Sequence, residues 1–148
     1  MSSRVPIAYI DVRTFAHATE DSDKVQTALL NTLSTEAVDT VVLKKSNLTG
    51  HHGNPIMLFE TRIKEKVVVH EVFKKLSSGL SMMDKELLGD EVKRHLEKGN
   101  LYLRLDKQGA YLNKLRLCET DPIHFKVHFK KSDTDQVIEI CRELGLIP

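Results

Sequence analysis

The stretch DPIHFKVHFK, Asp121–Lys130, decides how this chain is read. Ile123, Phe125, Val127 and Phe129 alternate with His124, Lys126, His128 and Lys130, and a period of two in β-branched and aromatic residues is the signature of a strand with one buried and one wet face. Working outward, DTDQVIEICRELG follows, with Val137, Ile138, Cys141 and Leu144 on one side, Ser132 as its cap and Gly145 as its stop, which predicts a helix. Upstream, NLYLRLDKQGAYLNKLRLC predicts two more strands: Leu101, Leu103 and Leu105 alternate with Tyr102, Arg104 and Asp106, and Leu115 and Leu117 alternate with Lys114 and Arg116. DKQGAYLN is then the connection between them.

The first half repeats the theme. Residues 5–17 are rich in β-branched and aromatic types and read as a strand. DSDKVQTALLNTL reads as a helix capped by Asp21 or Ser22, with Val25, Leu29 and Leu33 as its stripe. Residues 39–46 and 55–64 read as strands joined by NLTGHHGNPI. EKVVVHEVFKKLSSGL places Val69, Val72, Phe73 and Leu76 at helical spacing, ending near Gly79. Ser81 with Asp84 opens a further helix over 82–98 that Gly89 weakens and Gly99 ends. Hairpin-length links force antiparallel pairing, so the fold class is α+β: a two-layer sandwich of mainly antiparallel sheet with helices on one face. One domain over residues 1–148 is the expected organisation.

Composition bounds the function. Lys and Arg number 22 against 21 Asp and Glu, so the chain as a whole is no electrostatic glue and a basic site must be local. A charge at Asp11 interrupts any leader, and no stretch could span a bilayer, which predicts a soluble, cytoplasmic protein without a membrane partner. The two cysteines, Cys118 and Cys141, have neither zinc-knuckle spacing nor disulfide density. No Walker loop, GxGxxG or defensible Ser-His-Asp arrangement is present, so no catalytic residue and no cofactor is assigned.

The uncovered sheet face is where function is expected. It should collect Arg104, Lys114, Arg116, His124, Lys126, His128 and Lys130 with Tyr102, and, less firmly, Arg13, His17, Arg62 and Lys64, against only Asp11, Glu60 and Asp106. A strip of cations with a Tyr to stack on a base is how sheet platforms hold single-stranded RNA. The bland reading is a solvated antiparallel face. The GHHGNP loop has three readings. Adjacent His51 and His52 point to opposite sides of an extended segment and lack metal-ligand spacing, so no metal is assigned. Gly50 and Gly53 permit positive φ, so the loop amides could cradle a phosphate with His51 or His52 donating to it, and Lys44 and Lys45 near in sequence. A glycine turn stopped by Pro55 explains the glycines alone.

The combination of GHHGNPI, LRLDKQGAYLNKLRL and DPIHFKVHF resembles an archaeal family of RNA-binding proteins described as predicted exosome subunits. The resemblance covers nearly the whole chain. It implies a fold similar to that of the large-subunit ribosomal protein that holds 5S RNA, a cytoplasmic RNA-binding role without catalysis, and RNA with exosome or ribosomal components as partners. It points to Gly50, His51, His52, Gly53 and Asn54, and to Arg104, Asp106, Lys107 and Gln108. The expected function is therefore an RNA-binding accessory to RNA processing, degradation or ribosome assembly. Two rival readings are a scaffold that forms a homodimer through the open sheet and a metal-dependent hydrolase centred on His51 and His52.

Overall fold

The computed structural model describes residues 6–50 and 52–148. Strand β1 (Ile7–Ala16) is followed by helices α1 (Ser22–Asn31) and α2 (Thr35–Thr40), the hairpin β2 (Lys44–Thr49) and β3 (Pro55–Ile63), and helices α3 (Lys66–Gly79) and α4 (Met82–Asp90). A 3-10 turn at Val92–His95 leads into the short hairpin β4 (Leu96–Glu97) and β5 (Asn100–Leu105). Helix α5 (Lys107–Tyr111), strand β6 (Ile123–Phe129) and helix α6 (Thr134–Glu143) complete the chain. The strands form one six-stranded sheet in the order β2-β3-β1-β6-β5-β4, with antiparallel pairing throughout.

The alternation that opened the sequence reading is realised residue for residue in β6. Its odd positions are buried and its even positions half-buried along the whole strand. Helices cover one face. Ile10 and Val12 of β1, Leu101, Leu103 and Leu105 of β5, and Ile123, Phe125, Val127 and Phe129 of β6 meet Leu29 of α1, Val69, Val72 and Leu76 of α3 and Val137 of α6 in one continuous core. Phe73 meets Phe129 edge-on, with ring centroids 6.2 Å apart, a favoured aromatic geometry.

Five local expectations require correction. The strand expected over 39–46 starts only at Lys44, because Ser34 caps a short helix by accepting from the Ala37 amide at 3.2 Å; this local cap outweighs the β-branched run behind it. The helix expected to run to Gly99 ends at Asp90. Gly99 (φ 81°) with Lys98 (φ 52°) instead forms the two-residue turn of the β4–β5 hairpin, where positive φ at both central residues suits the twist of the strands. The DKQGAY connection is a helix, α5, because Asp106 caps it by accepting from the Gly109 amide at 2.9 Å. The strand expected around Lys114 to Leu117 reduces to a single bridge, Leu105 to Leu117. Asp133, not Ser132, caps α6.

Candidate functional site

On the uncovered face the register places side chains in rows across the strands. The first row runs Lys44, Glu60, Arg13, His124, Arg104 over β2, β3, β1, β6 and β5. The next runs Arg62, Asp11, Lys126, Tyr102, and a third Tyr9, His128, Asn100. Lys44, Arg13, Arg104, Arg62 and Lys126 thus face only two carboxylates, Asp11 and Glu60, in a chain whose formal net charge is +1. The charge of this face is locally positive, five cations against two carboxylates.

The carboxylates are already engaged. Arg62 grips Asp11 through both nitrogens, Nε at 2.6 Å and a terminal N–H at 2.9 Å. This bidentate bond holds the Arg62 guanidinium above its ordinary pKa. Glu60 lies 4.0 Å from Lys44. Among the described residues no carboxylate is within ion-pair distance of Arg13, Arg104 or Lys126. Partial burial pushes the His124 imidazole below its ordinary pKa of 6.5, and Arg13 and Arg104 push it further, so it is neutral at pH 7.

The aromatic groups are unequal. The Tyr9 ring stacks on His128 at 4.7 Å on one side and carries the Arg62 guanidinium at 4.0 Å on the other. Both its faces are spent. His128 is oriented in turn by donating from Nδ1 to Asn100 Oδ1 at 2.6 Å. Tyr102, 37% exposed, has no ring contact among the described residues. Arg13, Lys44, Arg62, Tyr102, His124 and Lys126 border a shallow depression of about 570 Å³ on this face.

The remaining predicted residues lie elsewhere. Lys45 pairs with buried Phe59 in register and so projects to the helix side of the edge strand. Lys130 sits just beyond β6, its amide donating to the Pro6 carbonyl. Lys114 is in the loop after α5, and Arg116 reaches back to Asp106 at 3.4 Å. Gln108 is exposed on α5. In the hairpin loop the Gly50 amide donates to Asn54 O at 2.6 Å and the Gly53 amide, at φ 80°, to Gly50 O at 3.0 Å. Two of the amides that a phosphate nest needs are therefore committed to closing the turn. His52 and Asn54 are exposed; His51 lies outside the described residues.

Lys107 occupies a different setting. Its ammonium donates to Phe15 O at 2.6 Å, to Glu20 Oε1 at 3.1 Å and to Asp121 Oδ2 at 2.9 Å, while His17 Nε2 meets Asp121 Oδ1 at 2.9 Å. Burial alone would raise the Asp121 carboxyl, but the hydrogen bonds and charges of Lys107 and His17 outweigh it and hold the group below its ordinary value. Among the described residues His17, Glu20 and Asp121 are the one set spaced to share a cation. The Lys107 ammonium already fills that role for its two carboxylates.

The residues that sequence reasoning missed are Tyr9 and Asn100. Tyr9 shares the period of Asp11 and Arg13, which was the available signal, whereas its stacking on His128 depends on a strand register that no local pattern encodes.

An antiparallel sheet with helices on one face and rows of basic and aromatic side chains on the other defines an open-faced α+β sandwich. The chain belongs to the family whose description is RNA binding, which matches over residues 9–129. It is 34% identical over 97% of its length to the RNA-binding protein PAB1135 of Pyrococcus abyssi, covering 96% of that protein. It is 30% identical to the uncharacterized protein MJ0213 of Methanocaldococcus jannaschii, over 92% of this chain and 97% of that one. Among solved structures it is similar to Mth689, a DUF54 protein from Methanothermobacter thermautotrophicus, with a TM-score of 0.77, 26% identity, and 94% and 98% of the two chains covered. Among the described residues no helix is long and apolar enough to cross a membrane.

Proposed function

We propose that this protein is a single-domain, cytoplasmic RNA-binding protein that holds single-stranded or looped RNA on the open sheet face and has no catalysis of its own. Its role is that of an accessory in RNA processing and degradation, in the company of the exosome, or in ribosome assembly. The observation that carries the reading is the set Arg13, Arg104 and Lys126, three cations on one uncovered face without an ion-paired carboxylate among the described residues, in a chain of nearly balanced charge. The family and the name of the Pyrococcus relative support it. Phosphate contacts of this kind position a nucleic acid more than they specify its sequence.

Fluorescence anisotropy with labelled single-stranded and hairpin RNAs over a salt series tests the proposal. Three phosphates neutralised on a single strand correspond to a log–log salt slope of about −2. Arg104→Glu with Lys126→Glu should abolish binding. A slope near zero, or a variant that binds like the parent, would sink the reading.

A further inference from the structure

Arg13, His124 and Arg104 come from three different strands and stand directly opposite one another across β1, β6 and β5. With His124 neutral, the like charges in this row are Arg13 and Arg104, two strands and about 10 Å apart, which repel across the imidazole with no carboxylate between them. The neighbouring rows avoid this arrangement: Asp11 lies between Arg62 and Lys126, and Glu60 separates Lys44 from Arg13. Among the rows of described residues only this one brings basic groups together without an intervening carboxylate, and the centre of the three is an imidazole kept neutral first by partial burial and then by the two arginines. Nothing in the packing of the sheet requires this. Each member is on the wet face while Val12, Phe125 and Leu103 fill the core beneath.

An anion seated across the row would relieve the repulsion and convert a cost of folding into binding free energy. We propose that Arg13, His124 and Arg104 clamp an internal phosphodiester of a single-stranded RNA, and that His124 takes up a proton from solvent as the phosphate seats. The proposal deepens the RNA-binding reading and rests on it. An internal phosphate is favoured over a terminal one because the face continues on either side, to Lys44 along the row and to Lys126 and Tyr102 in the next. Tyr102 is two residues from Arg104 on β5, about 7 Å along the strand. A base adjoining the clamped phosphate reaches this ring, whereas Tyr9 is closed on both faces by Arg62 and His128.

The proton linkage has a definite sign. In the free protein Arg13 and Arg104 flank His124, Asp11, Lys126 and Tyr102 stand one row away, and Glu60 and Cys118 lie beyond the two arginines. A bound phosphate adds negative charge beside the imidazole and raises its proton affinity. Affinity for RNA therefore increases as pH falls through and below 6.5, the ordinary histidine value.

The experiment is anisotropy with a labelled single-stranded oligouridylate, whose bases do not titrate in this range, at pH 7.5 and 5.5. The proteins are the parent, His124→Gln, Arg13→Gln and Arg104→Gln, with Lys126→Glu as a control off the clamp. The parent should bind several-fold more tightly at pH 5.5, and His124→Gln should lose that increment. Each arginine variant should weaken binding about tenfold, the low end for a lost charge-assisted contact. Without RNA the arginine variants should unfold at or above the parental temperature, since a repulsion has been removed; a purely structural role would lower it. Full retention of the pH increment by His124→Gln, or parental affinity in both arginine variants, overturns the clamp. If Lys126→Glu still weakens binding in that case, the RNA-binding reading survives. Absence of any RNA binding by the parent sinks both. Competition by uridine 5′-monophosphate as strong as by the oligomer overturns the internal phosphodiester.

Discussion

Replacing Lys107 with Met separates architecture from binding. The Lys107 side chain is 11% exposed and its ammonium serves one carbonyl and two carboxylates, Glu20 at 29% and Asp121 at 46% exposure. Breaking a fully buried pair costs about 3–5 kcal/mol, and an exposed one about 0–1 kcal/mol. An ammonium this covered with partners this wet falls between, so the loss is about 2 kcal/mol, with Met retaining the packing of the stem. For a chain of this length that corresponds to a fall of about 4–8 °C in Tm. The pH dependence adds a second signature. Asp121 is held below its ordinary value, so its contribution is fully present above about pH 3.8, the unperturbed value, and is lost as pH falls through the folded one. Parent and variant should therefore converge in stability on acidification below that point. Urea titrations at pH 7 and at a series of acid pH values read both effects. RNA affinity at neutral pH should be unchanged. A variant as stable as the parent would refute the pinning role, and one that is stable but fails to bind RNA would return Lys107 to the interface.

Three further outcomes follow from the same geometry. Asp11→Asn removes one carboxylate from the open face and releases Arg62, so RNA affinity should rise several-fold and the salt slope steepen by about 0.7; because the pair is only partly covered, at 49% and 28% exposure, the stability cost should be about 1 kcal/mol. Thr61 Oγ1 and Ser77 Oγ are buried without a hydrogen-bond partner. Thr61→Val and Ser77→Ala should each therefore raise stability by about 1 kcal/mol in urea unfolding. Gly109→Ala would place a Cβ 3.0 Å from both Lys114 O and Arg116 Nε. It should destabilise by about 1–2 kcal/mol, reversing the gain that Ala ordinarily gives in a helix; a higher Tm would contradict the close packing.

The sheet's centre was legible because β6 and β5 carry an uninterrupted period of two, and α3 carries an apolar stripe longer than two turns. The failures have a common cause. Helix α2 has six residues and α5 has five, too few for periodicity to show, so each depends on a cap at Ser34 or Asp106 that resembles any turn. Gly99 ends a periodic run as a helix stop would, but the preceding Lys98 also adopts positive φ and turns the pair into a hairpin. At the site, Arg104 on β5 and His124 and Lys126 on β6 could each be placed by the alternation of their own strand. The Arg13–His124–Arg104 row needed the register between three strands, and a shift of one residue would have moved every side chain to the other face. The resemblance points to Lys107 as an RNA contact, and nothing local shows its commitment, because its partners Asp121 and Glu20 are 14 and 87 residues away.

That displacement of Lys107 changes what the most distinctive sequence block means. In LRLDKQGAY, Asp106 is spent on capping α5 and on Arg116, Lys107 on three acceptors, and Gly109 on close approach to Lys114 and Arg116. In GHHGNP, Gly50 and Gly53 are spent on closing the hairpin. A polar group committed inside the chain gains little from a phosphate, because the old bond must break before the new one forms and a half-covered partner is left unsatisfied. Asp106, Lys107, Gly109, Gly50 and Gly53 thus each hold a contact within the fold. On the open face the cations without an ion-paired carboxylate among the described residues are Arg13, Arg104 and Lys126, which sit in ordinary strand alternation. Affinity for a polyanion follows uncompensated charge, so the proposed RNA contact rests on these three residues more than on either conspicuous block.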